Sequence, residues 1–122
     1  MVATMNKTSL NDLIKALNGK VIANEFEVIN ENVALSKQLT SLDEDMLLVE
    51  FGNNLDIDIG WYCHFKDGDS YETSKGSGRF RIYVLQNRDW DNPLLRIKTK
   101  SFDGLKRAIK KAQAVILKNL HI

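Results

Sequence analysis

A cysteine and a histidine stand side by side in the segment LDIDIGWYCHF, which covers residues 55–65. Cys63 is the only cysteine of the chain, and His64 is one of two histidines. A thiol beside an imidazole can become a nucleophile, because the imidazole accepts the thiol proton. Whether this pair does such chemistry depends on the directions in which the segment points the two side chains.

The alternation of residue types in this segment predicts a β-strand. Successive side chains of a strand point to opposite faces of a sheet. The apolar face, which we expect to be buried, carries Ile57, Ile59, Trp61, Cys63 and Phe65. The opposite face carries Asp56, Asp58, Gly60, Tyr62 and His64. Cys63 and His64 therefore point apart, so we predict that Cys63 is a core residue and that the chain is not an enzyme.

The neighbouring segments predict an α+β domain around this strand. Short connections favour an antiparallel meander, within a sheet of about four to six strands. Its segments are residues 46–51, 55–65, 79–85 and 94–100. In residues 20–40 the alternation of apolar and acidic residues favours a hairpin over a helix. We expect residues 1–122 to form a single domain in which residues 1–7 are flexible.

Two amphipathic helices are expected to pack on one face of the sheet. The first lies within residues 8–20, where Thr8 or Ser9 can cap its start and Gly19 can end it. The second is long and begins after Ser101. Its apolar residues recur at a spacing of three or four, and they are Phe102, Leu105, Ile109, Ala112, Ile116 and Leu120. Its other side carries Lys106, Arg107, Lys110, Lys111 and Lys118.

The charge of the chain is divided unequally along its length. Its 122 residues have a formal net charge of +1. Residues 1–74 contain 5 basic and 13 acidic residues, whereas residues 75–122 contain 12 basic and 3 acidic residues. Such a division is typical of proteins that bind nucleic acid or an acidic partner, although two halves of opposite charge can also fold against each other.

The remaining sequence features give no indication of a metal, a cofactor or a membrane. A single cysteine excludes an intramolecular disulfide, and no segment has the apolar run of a signal peptide or a membrane span. Spaced acidic residues in the loop 66–78 lack the closing glutamate and the flanking helices of an EF-hand. We therefore expect a cytoplasmic protein with no cofactor and no metal site.

The sheet face away from the helices is predicted to be charged and exposed. Alternation in the other strands directs outward Met46, Leu48, Glu50, Arg79, Arg81, Tyr83, Leu85, Leu94, Arg96, Lys98 and Lys100. Tyrosine and arginine are enriched at the dominant positions of protein interfaces. The predicted partner-binding residues are Asp56, Asp58, Tyr62, His64, Arg79, Arg81, Tyr83, Arg96 and Lys98, with Trp90 at the rim.

Two less specific interpretations of this face remain open. Asp56 and Asp58 can form ion pairs with Arg79 and Arg81 across the strands, which would leave a solvated face without a partner. Trp90, in the turn NRDWDNP, can fold back to cover an edge of the core.

These features favour a small non-catalytic module that binds another protein. In size, mixed charge and α+β composition the chain resembles the immunity proteins that neutralise bacterial toxins, and also small phage-encoded inhibitors. The resemblance is one of general type, without a shared motif. It implies that the partner is a toxin or an enzyme-like target, bound through the charged sheet face.

The alternative function is nucleic-acid binding through the basic C-terminal half. Cations between Arg79 and Lys118 would contact phosphates, and Tyr62 and Tyr83 would stack on bases. Two features speak against it. The basic side of the second helix is expected on the other side of the sheet from Arg79, and acidic residues interrupt the positive sheet face.

Overall fold

Five antiparallel strands follow one another in the sheet in the order in which they occur in the sequence. They are β1 (Lys20–Asn24), β2 (Leu47–Glu50), β3 (Leu55–Tyr62), β4 (Arg79–Gln86) and β5 (Leu95–Thr99). A short helix, α1 (Leu10–Ala16), precedes the sheet, and a long helix, α2 (Phe102–Leu120), follows it. The computed structural model describes residues 8–63 and 77–120. The predicted α+β fold, a meander with both helices on one face, is confirmed.

Both helices begin at serine residues that the sequence predicted as caps. The hydroxyl group of Ser9 accepts a hydrogen bond from the backbone N–H three residues further on, at 3.1 Å, and Ser101 does the same at 2.9 Å. The end of α1 differs from the prediction. Asn18, rather than Gly19, adopts the left-handed conformation there, with a φ of 59°. Asparagine tolerates this conformation because its short polar side chain can bond locally.

The apolar stripe of α2 lies on the sheet, as predicted. Its buried apolar side chains are Leu105, Ala108, Ile109, Ala112 and Ile116. The core that they enter also contains Leu10, Ile14 and Leu17. In its centre Trp61 of β3 and Phe80 of β4 meet edge to face, with ring centroids 4.9 Å apart. Cys63 packs against this core, so its predicted direction is confirmed.

The hairpin predicted for residues 20–40 is wrong. Residues 20–24 form β1, which pairs with β2 rather than with the residues that follow it. The side chain of Asn24 then accepts a hydrogen bond from the N–H of Phe26 at 2.9 Å, which turns the chain out of the strand. Short 3₁₀ turns follow at Phe26–Val28, Leu35–Lys37 and Leu39–Ser41. Of the two alternating apolar residues in this segment, Phe26 is buried and Val28 is exposed. The alternation of apolar and acidic residues therefore does not mark the buried face of a strand.

Two tight turns of the same type lie at one end of the sheet. Asn53 and Asn54, between β2 and β3, have φ values of 61° and 57°, and Asn87 and Arg88, after β4, have values of 57° and 53°. Positive φ at both central residues defines a type I′ turn, whose twist matches that of the strands. Asparagine accepts this conformation readily, but arginine does not. The fold therefore holds Arg88 at a backbone position that costs energy.

An irregularity beside β2 brings backbone onto the sheet face opposite the helices. The carbonyl group of Glu44 lies where a Cβ atom of Gly60 would be, so that only glycine fits there. On either side of it, Asp43 and Met46 remain hydrogen-bonded to the backbone of β3, at 2.7 and 3.0 Å. Residues 43–46 thus form a bulge along β3. Met46, predicted to point outward, is fully buried in the core.

Candidate functional site

Both helices pack on one face of the sheet, and we call the opposite face the open face. The strand register places its side chains in rows across the strands. The rows are Glu50, Asp56 and Leu85; Leu48, Asp58, Tyr83 and Arg96; Gly60, Arg81 and Lys98; and Tyr62 with Arg79. Apart from Met46, the described strand residues predicted to point outward lie on this face.

An aromatic pair lies in the middle of the open face. Trp90, in the connection from β4 to β5, packs edge-on against Tyr83, with ring centroids 5.1 Å apart and ring planes at 70°. Tyr83 is only 9% exposed, whereas Trp90 remains 50% exposed. Trp90 was interpreted either as an exposed contact residue or as a residue that folds back on the protein. Each interpretation holds in part, because one side of the indole packs on the protein and the rest faces solvent. The predicted exposure of Tyr83 is wrong.

The exposure predicted for Asp56 is also wrong, since its side chain is 5% exposed. Arg88, from the turn after β4, forms an ion pair with Glu50 of β2, with 3.0 Å between Nη2 and Oε2. This contact spans β3 at the row that contains Asp56. The Oδ1 atom of Asp56 is buried and accepts no hydrogen bond. Asp56 is therefore a desolvated carboxylate beneath an ion pair, and not a directly accessible one.

The predicted ion pairs of Asp56 and Asp58 with Arg79 and Arg81 do not form. The register explains why, since the two carboxylates face a leucine and a tyrosine of β4 while the arginines lie in other rows. Arg79 instead donates to two backbone carbonyl oxygens, at 2.8 and 3.0 Å. Across the described ranges, Arg88–Glu50 is the ion pair of the open face, and the other ion pair lies elsewhere.

Acidic side chains concentrate on the β2 and β3 side of the open face, and we call Glu44, Asp45, Asp56 and Asp58 the acidic band. Burial, as the largest cause, and the charges of Asp45 and Asp56 together raise the pKa of Asp58 to about 6, against a smaller lowering by Arg88. Burial likewise raises the pKa of Asp56. Asp58 therefore changes its charge close to neutral pH, and none of the ion pairs between described residues involves the acidic band.

Basic side chains occupy the β4 and β5 side, and we call Arg79, Arg81, Arg96 and Lys98 the basic band. Arg81 and Lys98 face each other directly across β4 and β5, an arrangement of like charges that lowers stability. The guanidinium of Arg81 lies over the ring of Tyr62, 4.8 Å from its centroid. Burial and the nearby Asp58 raise the pKa of Tyr62 to about 12, so that its hydroxyl stays protonated.

Three predictions concern residues outside the described ranges: the contact residue His64, the loop 66–78 for the most part, and the N-terminal residues 1–7. His64 and residues 65–76 lie outside the described residues, and the same holds for residues 1–7. Among the residues that are described, no three His, Cys, Asp or Glu side chains come together as a metal site. No helix within the same ranges is long and apolar enough to cross a membrane.

Three residues of the open face were missed by the sequence analysis. Glu44 and Asp45 join the acidic band through the bulge beside β2, and Arg88 reaches Glu50 from the turn after β4. The acidic run DED before β2 was a visible signal, but its position over β3 depends on a bulge that no local pattern announces. For Arg88 no signal existed, because arginine is rare at positive φ.

No family model matches this sequence, and neither a curated protein nor a solved structure matches the chain. The charges and aromatic side chains of the open face are therefore the features on which a proposed function can rest.

Proposed function

We propose that the protein is a non-catalytic binding module that docks on another protein through its open face. Cations of the partner would meet Glu44, Asp45 and Asp58 of the acidic band, carboxylates of the partner would meet the basic band, and Trp90 would pack into the partner's surface. Two bands of opposite sign fix the orientation of a partner and increase the rate of association.

One observation carries this proposal: the two bands do not neutralise each other. Among the described residues, Asp58 forms no ion pair although an arginine lies one row away, and Arg81 faces a lysine of β5 instead of an acid. A solvated face that serves only solubility would gain stability from cross-strand ion pairs, of about 0.2–1 kcal/mol each. Charges that are left unpaired and partly desolvated gain more from a partner, because part of their desolvation cost is already present in the free protein.

The aromatic residues give the docking surface a rigid centre. Trp90 is held by Tyr83 and still exposes half of its surface, so little conformational entropy is lost when a partner covers it. Tryptophan, tyrosine and arginine dominate the binding energy of protein interfaces. Their concentration around Trp90 supports a hot spot at this point.

A toxin or an enzyme-like target in the cytoplasm remains the partner that we propose. An immunity-type or inhibitor-type protein must bind its target in a fixed orientation, and adjacent bands of opposite charge provide this. The proposal rests on the charge pattern and on the general resemblance in size and composition.

Affinity capture from a lysate of the native host, with and without nuclease, tests the proposal. The wild-type protein is compared with the double variant Trp90→Ala, Lys98→Glu, and with the control Lys118→Glu on the distant end of α2. We expect one protein to be captured equally with and without nuclease, by the wild type and the control but not by the double variant. Equal capture by all three proteins would exclude the open face as the docking surface.

A second candidate function, nucleic-acid binding, is favoured by one specific observation. A cleft of about 160 Å³ between β5 and α2 is lined by Lys98 of the sheet together with Arg107 and Lys111 of the helix. A sheet cation thus meets helix cations at the β5 edge, although Arg79 and Arg81 are not among the residues that line this cleft. Three cations in one cleft suit a phosphate group of a nucleic-acid backbone. The acidic band on the same sheet opposes such binding.

The salt dependence of binding to a single-stranded oligonucleotide tests this second candidate. Nucleic-acid binding predicts an affinity that falls steeply with added salt, and a smaller slope for Lys111→Ala than for the wild type. An oligonucleotide that does not bind at low salt would exclude it.

A further inference from the structure

The two edges of the sheet differ in regularity. β5 pairs with β4 over five consecutive residues without interruption, from Leu95 to Thr99. At the other edge, the register of β1 shifts between Val21 and Ala23. An edge strand has backbone N–H and C=O groups without partners in the sheet, and a regular one can pair with a further strand. β5 is therefore the edge better suited to strand addition.

Cations line the β5 edge on both sides of the sheet. On the open face β5 carries Arg96 and Lys98, both exposed. On the helix side, the cleft between β5 and α2 has Ile97, Thr99 and Ala108 in its lining, with Arg107 and Lys111. Among the residues that the structure describes, none of those that line the cleft is acidic. An acceptor strand between two sets of cations selects against basic segments and favours acidic ones.

The close approach of α2 to β5 keeps this arrangement rigid. Gly104, in the first turn of α2, packs against Thr99 so tightly that a Cβ atom on the glycine would overlap the threonine side chain. The helix therefore carries Arg107 and Lys111 past the edge strand at a fixed distance. Rigid acceptor sites lose little entropy when a partner binds.

We propose that β5 is a docking edge that adds an acidic, extended segment of a partner protein as a sixth strand. The inference deepens the proposed function and rests on it, because Arg96 and Lys98 belong to both surfaces. Side chains two positions apart in a strand lie about 7 Å apart on the same face. Carboxylates at alternate positions of the added segment would meet Arg96 and Lys98, and small apolar side chains between them would face Ile97.

A synthetic peptide tests this inference without the partner. The probe is acetyl-Thr-Glu-Val-Glu-Val-Glu-Thr-amide, titrated into the isotope-labelled full chain and followed by NMR. A second peptide has the same side chains but methylated backbone nitrogens, so that it keeps the charges and cannot donate hydrogen bonds. We expect the first peptide to bind and to slow hydrogen exchange of the β5 amides that do not bond to β4. The affinity of the methylated peptide should be lower by a factor of about ten or more, because its backbone hydrogen bonds are lost.

Matched charge variants locate the site. Lys98→Glu and Arg107→Glu should each weaken binding of the first peptide, whereas Lys118→Glu, two helical turns beyond Lys111, should not. Equal binding of the two peptides, or NMR shifts confined to α2, would overturn strand addition. If an oligonucleotide binds more tightly than the first peptide, the β5 edge is instead a nucleic-acid site. Absence of peptide binding would also overturn it. Partner capture by the Trp90→Ala variant is measured separately. Loss of this capture would support docking through the open face even if the peptide experiment excludes strand addition at β5.

Discussion

Trp90 packs edge-on against Tyr83 on the open face, with 5.1 Å between the ring centroids, and the two residues contribute differently to the protein. Tyr83 is 9% exposed and belongs to the fold, whereas Trp90 is 50% exposed and remains available to a partner. This division corrects the expectation that Tyr83 is an exposed contact residue. It also identifies which of the two residues is the better probe of binding.

Replacing the two aromatic residues should separate stability from binding. Tyr83→Ala should lower the free energy of unfolding by about 2–4 kcal/mol, since a buried ring is removed. Trp90→Ala should lower it by about 1 kcal/mol, the contribution of one aromatic contact. Urea denaturation measures both values, with Trp90→Phe as a control that keeps an aromatic contact. Equal losses for the two alanine variants would contradict the division of roles.

Removing one of two facing cations should not weaken the fold. Lys98 lies directly opposite Arg81, so Lys98→Gln should leave stability unchanged or raise it by about 0.2–1 kcal/mol at low salt. The gain should disappear at about 1 M salt, where the charges are screened. Urea denaturation at both salt concentrations, with Lys100→Gln as control, measures it. A clear loss of stability in Lys98→Gln would show that Lys98 has a partner within the protein.

Asp58 should make stability depend on pH. Its pKa is about 6 in the folded chain against a reference value of 3.8. Between these values the folded state binds more protons than the unfolded state, so stability falls as the pH rises from about 4 to 6. Asp58→Asn should therefore raise the free energy of unfolding by about 1–2 kcal/mol at pH 7, less than the full shift implies because the carboxylate is partly solvated.

The advantage of Asp58→Asn should shrink steadily as the pH is lowered from 7 to 4, and thermal unfolding across this range measures it. The exposed Asp91 supplies the control, as Asp91→Asn should show no such trend. If the difference between wild type and Asp58→Asn is the same at pH 4 and pH 7, the carboxylate is not held in a desolvated position.

Gly60 should tolerate no side chain. A methyl group there would overlap the Glu44 carbonyl group, so Gly60→Ala requires the bulge beside β2 to move. We expect a loss of about 2–3 kcal/mol in the free energy of unfolding, as for other overpacked sites. Gly52→Ala is the matched control, because its nearest neighbour would be at an ordinary 3.7 Å. Equal stability of the two variants would exclude the close approach of residues 43–46 to β3.

The fold could be predicted from the sequence where a single pattern dominates. Strand alternation assigned Cys63 to the core and Asp58 to the open face, and the spacing of apolar residues identified α2. These patterns are strong because each face of an element meets one environment. The segment after β1 could not be predicted. Phe26 is buried although it lies in a turn, and in the sequence the pattern of residues 25–28 is the same as that of a strand with one buried face.

The candidate site was harder to predict than the fold. The residue types of the open face followed from alternation, but ion pairing depends on register, which places Asp58 opposite Tyr83 instead of an arginine. Exposure depends on long-range contacts, such as the ion pair of Arg88 with Glu50 across β3. Neither property is encoded in the local pattern of one strand.

Site-specific photo-cross-linking tests the docking face most directly. A photoreactive benzoylphenylalanine is placed at position 90 in one protein and at position 117 in another, since Leu117 is an exposed residue of α2 away from the open face. Irradiation in nuclease-treated host lysate should yield one cross-linked protein from position 90 and none from position 117. Cross-links to the same protein from position 117 alone would contradict docking through the open face.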